Sequence, residues 1–318
     1  QALSRGSIRI GHTLRIAQGT GTVTSDGGEI RTRNFTNQSG TLQFDDGSLI
    51  IEGGLFSPLT SPGVFEVNGL ADSDRPVLIL NNGASTENTQ QLNIGSSRHG
   101  ELAILRGSTL IAQNVQLGVG IESFGLTRVE GTASRLNSDQ LSVGMKGQGE
   151  LRVSQGGQVR ILNGEIGRIG SELDQSIGLV QVEGDGSRLV ADFGIILGQR
   201  FATGTLNIVD GGRVETGSIF IGGNDVATHQ NADGQVNVAG VGSVLKTNGN
   251  LVVGSPVSSI VGNLMISDRG TVDVGQTLTN MAGTGTITLS GGRIVASSID
   301  HYHQMGFSSS NNSLFGQV

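Results

Sequence analysis

Apolar residues in this chain recur two positions apart and do not follow the three-to-four spacing of a helix. Leu102 and Ile104, Leu151 and Val153, Val180 and Val182, and Leu206 and Ile208 are copies of one phrase. Val236 and Val238, Leu264 and Ile266, and Ile287 and Leu289 continue it. A glycine-rich corner and a further apolar residue follow each copy, and a degenerate copy spans Leu126 to Leu136. This alternation marks a strand with one buried face, because successive side chains leave a strand on opposite sides. A second phrase, two spaced apolar residues and then Gly, lies between the copies. It ends at Gly118, Gly144, Gly198, Gly222 and Gly254.

A glycine also stands just ahead of each first phrase, at Gly100, Gly125, Gly149, Gly178, Gly204, Gly234, Gly262 and Gly285. The intervals run from about 23 to 30 residues, the range of solenoid repeats. One period holds three short strands, as in Leu151–Val153, Val159–Ile161 and Glu165–Ile166. Glycine at the corners supplies the sharp bends. The pattern predicts an all-β fold, a parallel β-solenoid forming a single domain over residues 1–300. Rungs ~4.8 Å apart, roughly 12 of them, give a rod about 55–60 Å long.

Two regions depart from the repeat. Residues 55–93 carry Pro58, Pro62 and Pro76, three of the four prolines, which predicts an irregular rung or protrusion. Residues 301–318 form a Ser/Asn-rich tail that ends in Leu314, Phe315 and Val318 and is expected to be docked.

Composition fits a thin core stacked one layer at a time. There are 53 glycines, one Tyr, and no Trp or Cys, and the only lysines are Lys146 and Lys246. The net charge is -7, and no stretch of the chain clusters basic residues, which argues against nucleic acid as a partner. No apolar run nears the ~20 residues of a membrane helix, so membrane insertion is not expected. The chain opens on Gln1 rather than Met; a removed signal peptide accounts for this and predicts a secreted or cell-surface protein.

The alternating phrases resemble the repeat of autotransporter passenger domains and of PEP-CTERM-type secreted proteins. The resemblance covers Gly100 to Ile294 well and the first hundred residues loosely. It implies an extracellular β-solenoid, and such passengers include adhesins, matrix proteins and some enzymes. The membrane barrel of the one family and the Pro-Glu-Pro motif of the other are both missing from this sequence.

Catalytic chemistry finds little support. His301 and His303 are the only close histidine pair, with Asp300 alone beside them, short of a metal set. Asp45 with Asp46, and Asp72 with Asp74, are the densest acids, and both pairs fall in turns. Glu183 and Asp210 occupy one repeated corner position rather than a unique site. The expectation is no enzyme, no cofactor and no metal. A solenoid exposes unpaired strand edges at its ends, which proteins must cap or use. Ile8 and Ile10 begin a strand almost at the first residue, without a cap. The leading expectation is therefore a filament or biofilm-matrix subunit that polymerises head to tail. Ile8, Ile10, Leu314, Phe315 and Val318 form its interface, with the tail completing a neighbour's solenoid. The alternatives are a tail that covers its own last rung, and a monomeric rod-like adhesin for surface glycans or a receptor.

Overall fold

The glycines that mark the repeat form one physical column. Gly100 pairs in register with Gly125, Gly125 with Gly149, and the row runs on through Gly178, Gly204, Gly234 and Gly262 to Gly285. The computed structural model describes residues 6–16, 22–25, 27–38, 41–58, 63–87, 89–168, 176–223, 231–257, 259–281, 284–301, 306–307 and 313–317. Within them the protein is a parallel β-solenoid without a helix, built from one large sheet and a two-stranded companion.

Each turn has three faces. Face A is a straight strand such as Phe124–Glu130, Gln148–Ser154 or Ile177–Glu183. Faces B and C share one longer strand, such as Arg135–Val143, bent at its middle. Two consecutive outward residues, Asp139 and Gln140, mark that bend and reverse the alternation, so that both halves bury their apolar side. In the turn after Arg213–Ile221 the two faces carry separate strands, Val244–Thr247 on face B and Leu251–Val253 on face C. The three strands per rung expected from the alternation are therefore present.

The face A ladder links thirteen strands, one per turn, from Ser7–Ile16 to Gly306–Phe307. Its innermost column stacks Ile30, Leu49, Leu78, Leu102, Thr127, Leu151, Val180, Leu206, Val236, Leu264 and Ile287. All are buried. Leu126 is the exception to the sequence pattern. It pairs with Glu101 and Glu150 in the outward column, and Thr127 takes the core position. The Gly125–Gly149 pairing sets this register, and a one-residue shift exchanges the two faces of a strand. The acids Glu183 and Asp210 do not share a position either: Glu183 pairs with Val209, so Asp210 lies one place further around the corner.

Turns lock to one another at the corners. At the A–B corner, buried serines reach back one turn. Ser134 Oγ accepts from Gly107 N–H and Ser187 Oγ from Gly156 N–H (3.0 and 3.1 Å). Ser243 Oγ accepts from Gly211 N–H at 3.1 Å and donates to the Ala239 carbonyl at 2.6 Å. Each bond pairs a corner N–H that no strand neighbour could satisfy.

Residues 55–93 are built into the ladder. Leu55–Pro58 lies on Glu29–Asn37, Val77–Asn81 on Ser48–Glu52, and Thr89–Ile94 on Val64–Val67. Pro58 closes its strand opposite Asn37, and the Pro76 carbonyl accepts from Glu101 N–H just before the next strand begins. Pro62 lies outside the described residues. What stands outside the ladder is the short segment 68–76. It folds on Asp74, whose carboxylate accepts from Leu70 and Ala71 N–H at 3.0 and 2.7 Å. The Ala71 bond is the main reason that this carboxyl is held below the usual range. The core here is aromatic: Phe56 stacks on Phe35 at 5.4 Å and meets Phe65 edge-on at 5.2 Å.

Candidate functional site

The two ends of the ladder differ from every turn between them. Ser7–Ile16 pairs with Glu29–Asn37 on one side and, among the described residues, with nothing on the other. Ile8 stands over Ile30, Ile10 over Thr32 and Leu14 over Phe35. The first turn thus places its apolar residues at the base of the same inward columns that run through the whole rod. Ile30 is 2% exposed and Phe35 is fully buried, whereas Ile8, Ile10 and Leu14 remain half-buried. Among the described residues, no strand pairs with them on the side facing away from Glu29–Asn37.

Leu14 belongs with the two isoleucines, and the alternation did not single it out. Gly11 and His12 separate it from Ile10 at the corner, where the register slips between Ile10 and Thr13. A corner of that kind breaks a period-two reading, and only the pairing to Phe35 restores the phase.

At the far end the tail is seated on its own chain. Gly306–Phe307 continues face A, with Phe307 in register with Leu289. Ser313–Gln317 continues face B, with Leu314 in register with Ile294 and Phe315 with Val295. Leu314 thereby continues the register row of Val214, Leu245, Val272 and Ile294, and Phe315 that of Lys246, Asp273 and Val295. The described parts of the tail therefore pair in cis, Gly306–Phe307 with Gly285–Ser290 and Ser313–Gln317 with Arg293–His301. Among the described strands, Ser313–Gln317 pairs with one neighbour only. Val318, at the end of the expected interface, lies outside the described residues.

The other candidate chemistry is dispersed. Asp46 accepts from Arg75 N–H at 2.9 Å, and Asp72 pairs with Arg98 at 3.0 Å, so both acids are occupied in holding the 68–76 segment. His303 lies outside the described residues. Among the described residues no three His, Asp or Glu side chains converge as a metal site. No helix there is long and apolar enough to cross a membrane.

Comparison with known proteins returned no match to a family model, a curated protein or a solved structure.

Proposed function

We propose that this chain is a structural subunit that stacks head to tail, the first turn of one copy on the last turn of the next. The observation that carries this reading is the half-burial of Ile8, Ile10 and Leu14 at column positions that are sealed one turn further in. A copy placed in register continues each column: Phe307 meets the next Ile10, and Leu314 meets the next Leu14. Full burial of an aliphatic side chain contributes about 1.5–3 kcal/mol. At most about a third of that remains to be gained at each of these residues, and a new row of backbone hydrogen bonds adds about 1 kcal/mol apiece. An extracellular setting belongs to this reading, and the likeness of the repeat to secreted repeat families supports it; no catalytic step is assigned.

The tail seated in cis favours a second reading, a rod closed at one end that works as a single adhesive unit. Electron microscopy and sedimentation of the purified chain over a wide concentration range separate the two. Stacking predicts filaments whose repeat equals one rod length, lost in Leu14→Lys. A chain that stays monomeric at high concentration, or filaments unchanged by Leu14→Lys, refutes stacking.

A further inference from the structure

The sequence has no run of basic residues, yet the turns assemble one. Outward positions on face B come in pairs, and five successive turns present Arg135 with Asn137, Gln158 with Arg160, Arg188 with Val190, Arg213 with Glu215, and Val244 with Lys246. Five of these ten positions are cationic and one is anionic, on a chain whose net charge is -7. With turns ~4.8 Å apart the patch extends about 20 Å along the rod. Arg160 pairs with Asp192 at 3.0 Å and Arg188 with Glu215 at 2.5 Å. Arg135 and Arg213 make no ion pair among the described residues and are exposed.

The ion pairs to Asp192 and Glu215 offset Arg160 and Arg188 and leave Arg135 and Arg213 uncompensated. Arg188 and Arg213 are direct register partners, and like charges placed opposite one another on a sheet are destabilising. Between them and the preceding turns runs a groove of about 400 Å³, lined by Arg135, Asn137, Gln158, Arg160, Arg188 and Val190. Its polar lining consists of three guanidinium groups and two amides, with no carboxylate. Guanidinium groups bind carboxylates and sulfates through paired hydrogen bonds, and amides both donate to and accept from hydroxyls.

We propose that this groove binds a linear anionic polysaccharide, the acid groups of successive sugars resting on arginines of successive turns. A single sugar chain lies within the groove. A duplex nucleic acid is broader and would meet Asp192 and Glu215 along the rim, under the repulsion of the whole negative protein. The proposal is independent of end-to-end stacking, because the patch lies midway along the ladder.

The test is calorimetric titration of the full chain at low salt with polygalacturonate, dextran sulfate, neutral dextran and duplex DNA. Binding to either or both anionic polysaccharides, weakening as salt rises, is expected, and the two arms distinguish carboxylate from sulfate. The double variant Arg135→Gln/Arg213→Gln removes two of the three cations without an ion pair in this patch, leaving Lys246, and should weaken binding at least about tenfold, by loss of counterion release and direct pairing. Arg152→Gln, on face A, should stay within about twofold, since its charge lies on a different face. Circular dichroism checks that both variants keep the strand signal. The proposal is overturned if neither anionic polysaccharide binds, if neutral dextran binds as well as they do, or if the double variant binds like the parent. It is also overturned if duplex DNA binds more tightly than both polysaccharides.

Discussion

Replacing Gly178 by Ala tests the corner that joins face C of one turn to face A of the next. Gly178 is not in the left-handed region, so the substitution costs nothing in backbone conformation. Space is the obstacle. A methyl at this position would be driven into the carbonyl oxygen of Val143 and the amide nitrogen of Gly167. Both are backbone atoms, so no side chain can swing away. The Gly167 N–H donates to that same Val143 carbonyl at 2.8 Å, and opening the corner to admit the methyl stretches or breaks this bond. Overpacking of this kind costs about 1–3 kcal/mol, and the bond adds about 1 kcal/mol. The stiffer unfolded chain of the alanine variant returns about 0.4–1 kcal/mol. The net expectation is a loss of about 2 kcal/mol. With no Trp and one Tyr, fluorescence reports little, so the assay is urea unfolding followed by far-ultraviolet circular dichroism. Gly11→Ala is the control, since nothing lies within 4 Å of the added methyl there. If Gly178→Ala is as stable as the parent to within about 0.5 kcal/mol, the close-approach argument for the glycine column is wrong.

Three further outcomes follow from buried polar groups and one partly buried imidazole. Thr127 holds a core position with its hydroxyl unpaired, so Thr127→Val should raise stability by about 1 kcal/mol in the same urea assay. Ser243→Ala leaves the Gly211 N–H without its acceptor and should cost about 1–3 kcal/mol, while Ser243→Thr, which keeps a hydroxyl, should cost less. Burial, followed by the charge of Arg75, holds His99 below its ordinary pKa of 6.5 against an opposing pull from Asp72. Its neutral form is therefore favoured by folding, and this contribution is complete above about pH 6.5 and declines as pH falls through the lowered folded value. The loss of stability between pH 7 and pH 5 should be smaller in His99→Gln, measured by thermal melting across that range.

The repeat was legible because strand alternation and corner glycines are local demands. Leu151 and Val153 both had to face one side, and the eight marker glycines Gly100, Gly125, Gly149, Gly178, Gly204, Gly234, Gly262 and Gly285 fell in one column, as the intervals implied. Ile8 and Ile10 could be picked out for the same reason, since a strand that begins at the edge carries its pattern with it.

What the sequence could not decide was phase and neighbourhood. At residues 126–127 the apolar pattern and the glycine column disagreed, and the column won, because hydrogen bonds along both edges of a strand outweigh one side chain's preference. Prolines read as breaks at 55–93 proved compatible with the ladder, since Pro58 closes a strand and Pro76 precedes one. The tail's apolar residues were recognisable, but whether they continued their own rod or a neighbour's depended on register with Ile294 and Val295. The arginine face was wholly hidden. Arg135, Arg160, Arg188 and Arg213 are 25 to 28 residues apart in the chain, and each stretch alone is unremarkable. A solenoid coils each of those intervals into a single turn, so residues far apart in sequence become neighbours at ~4.8 Å, and charge patterns form along the rod that no window of sequence contains.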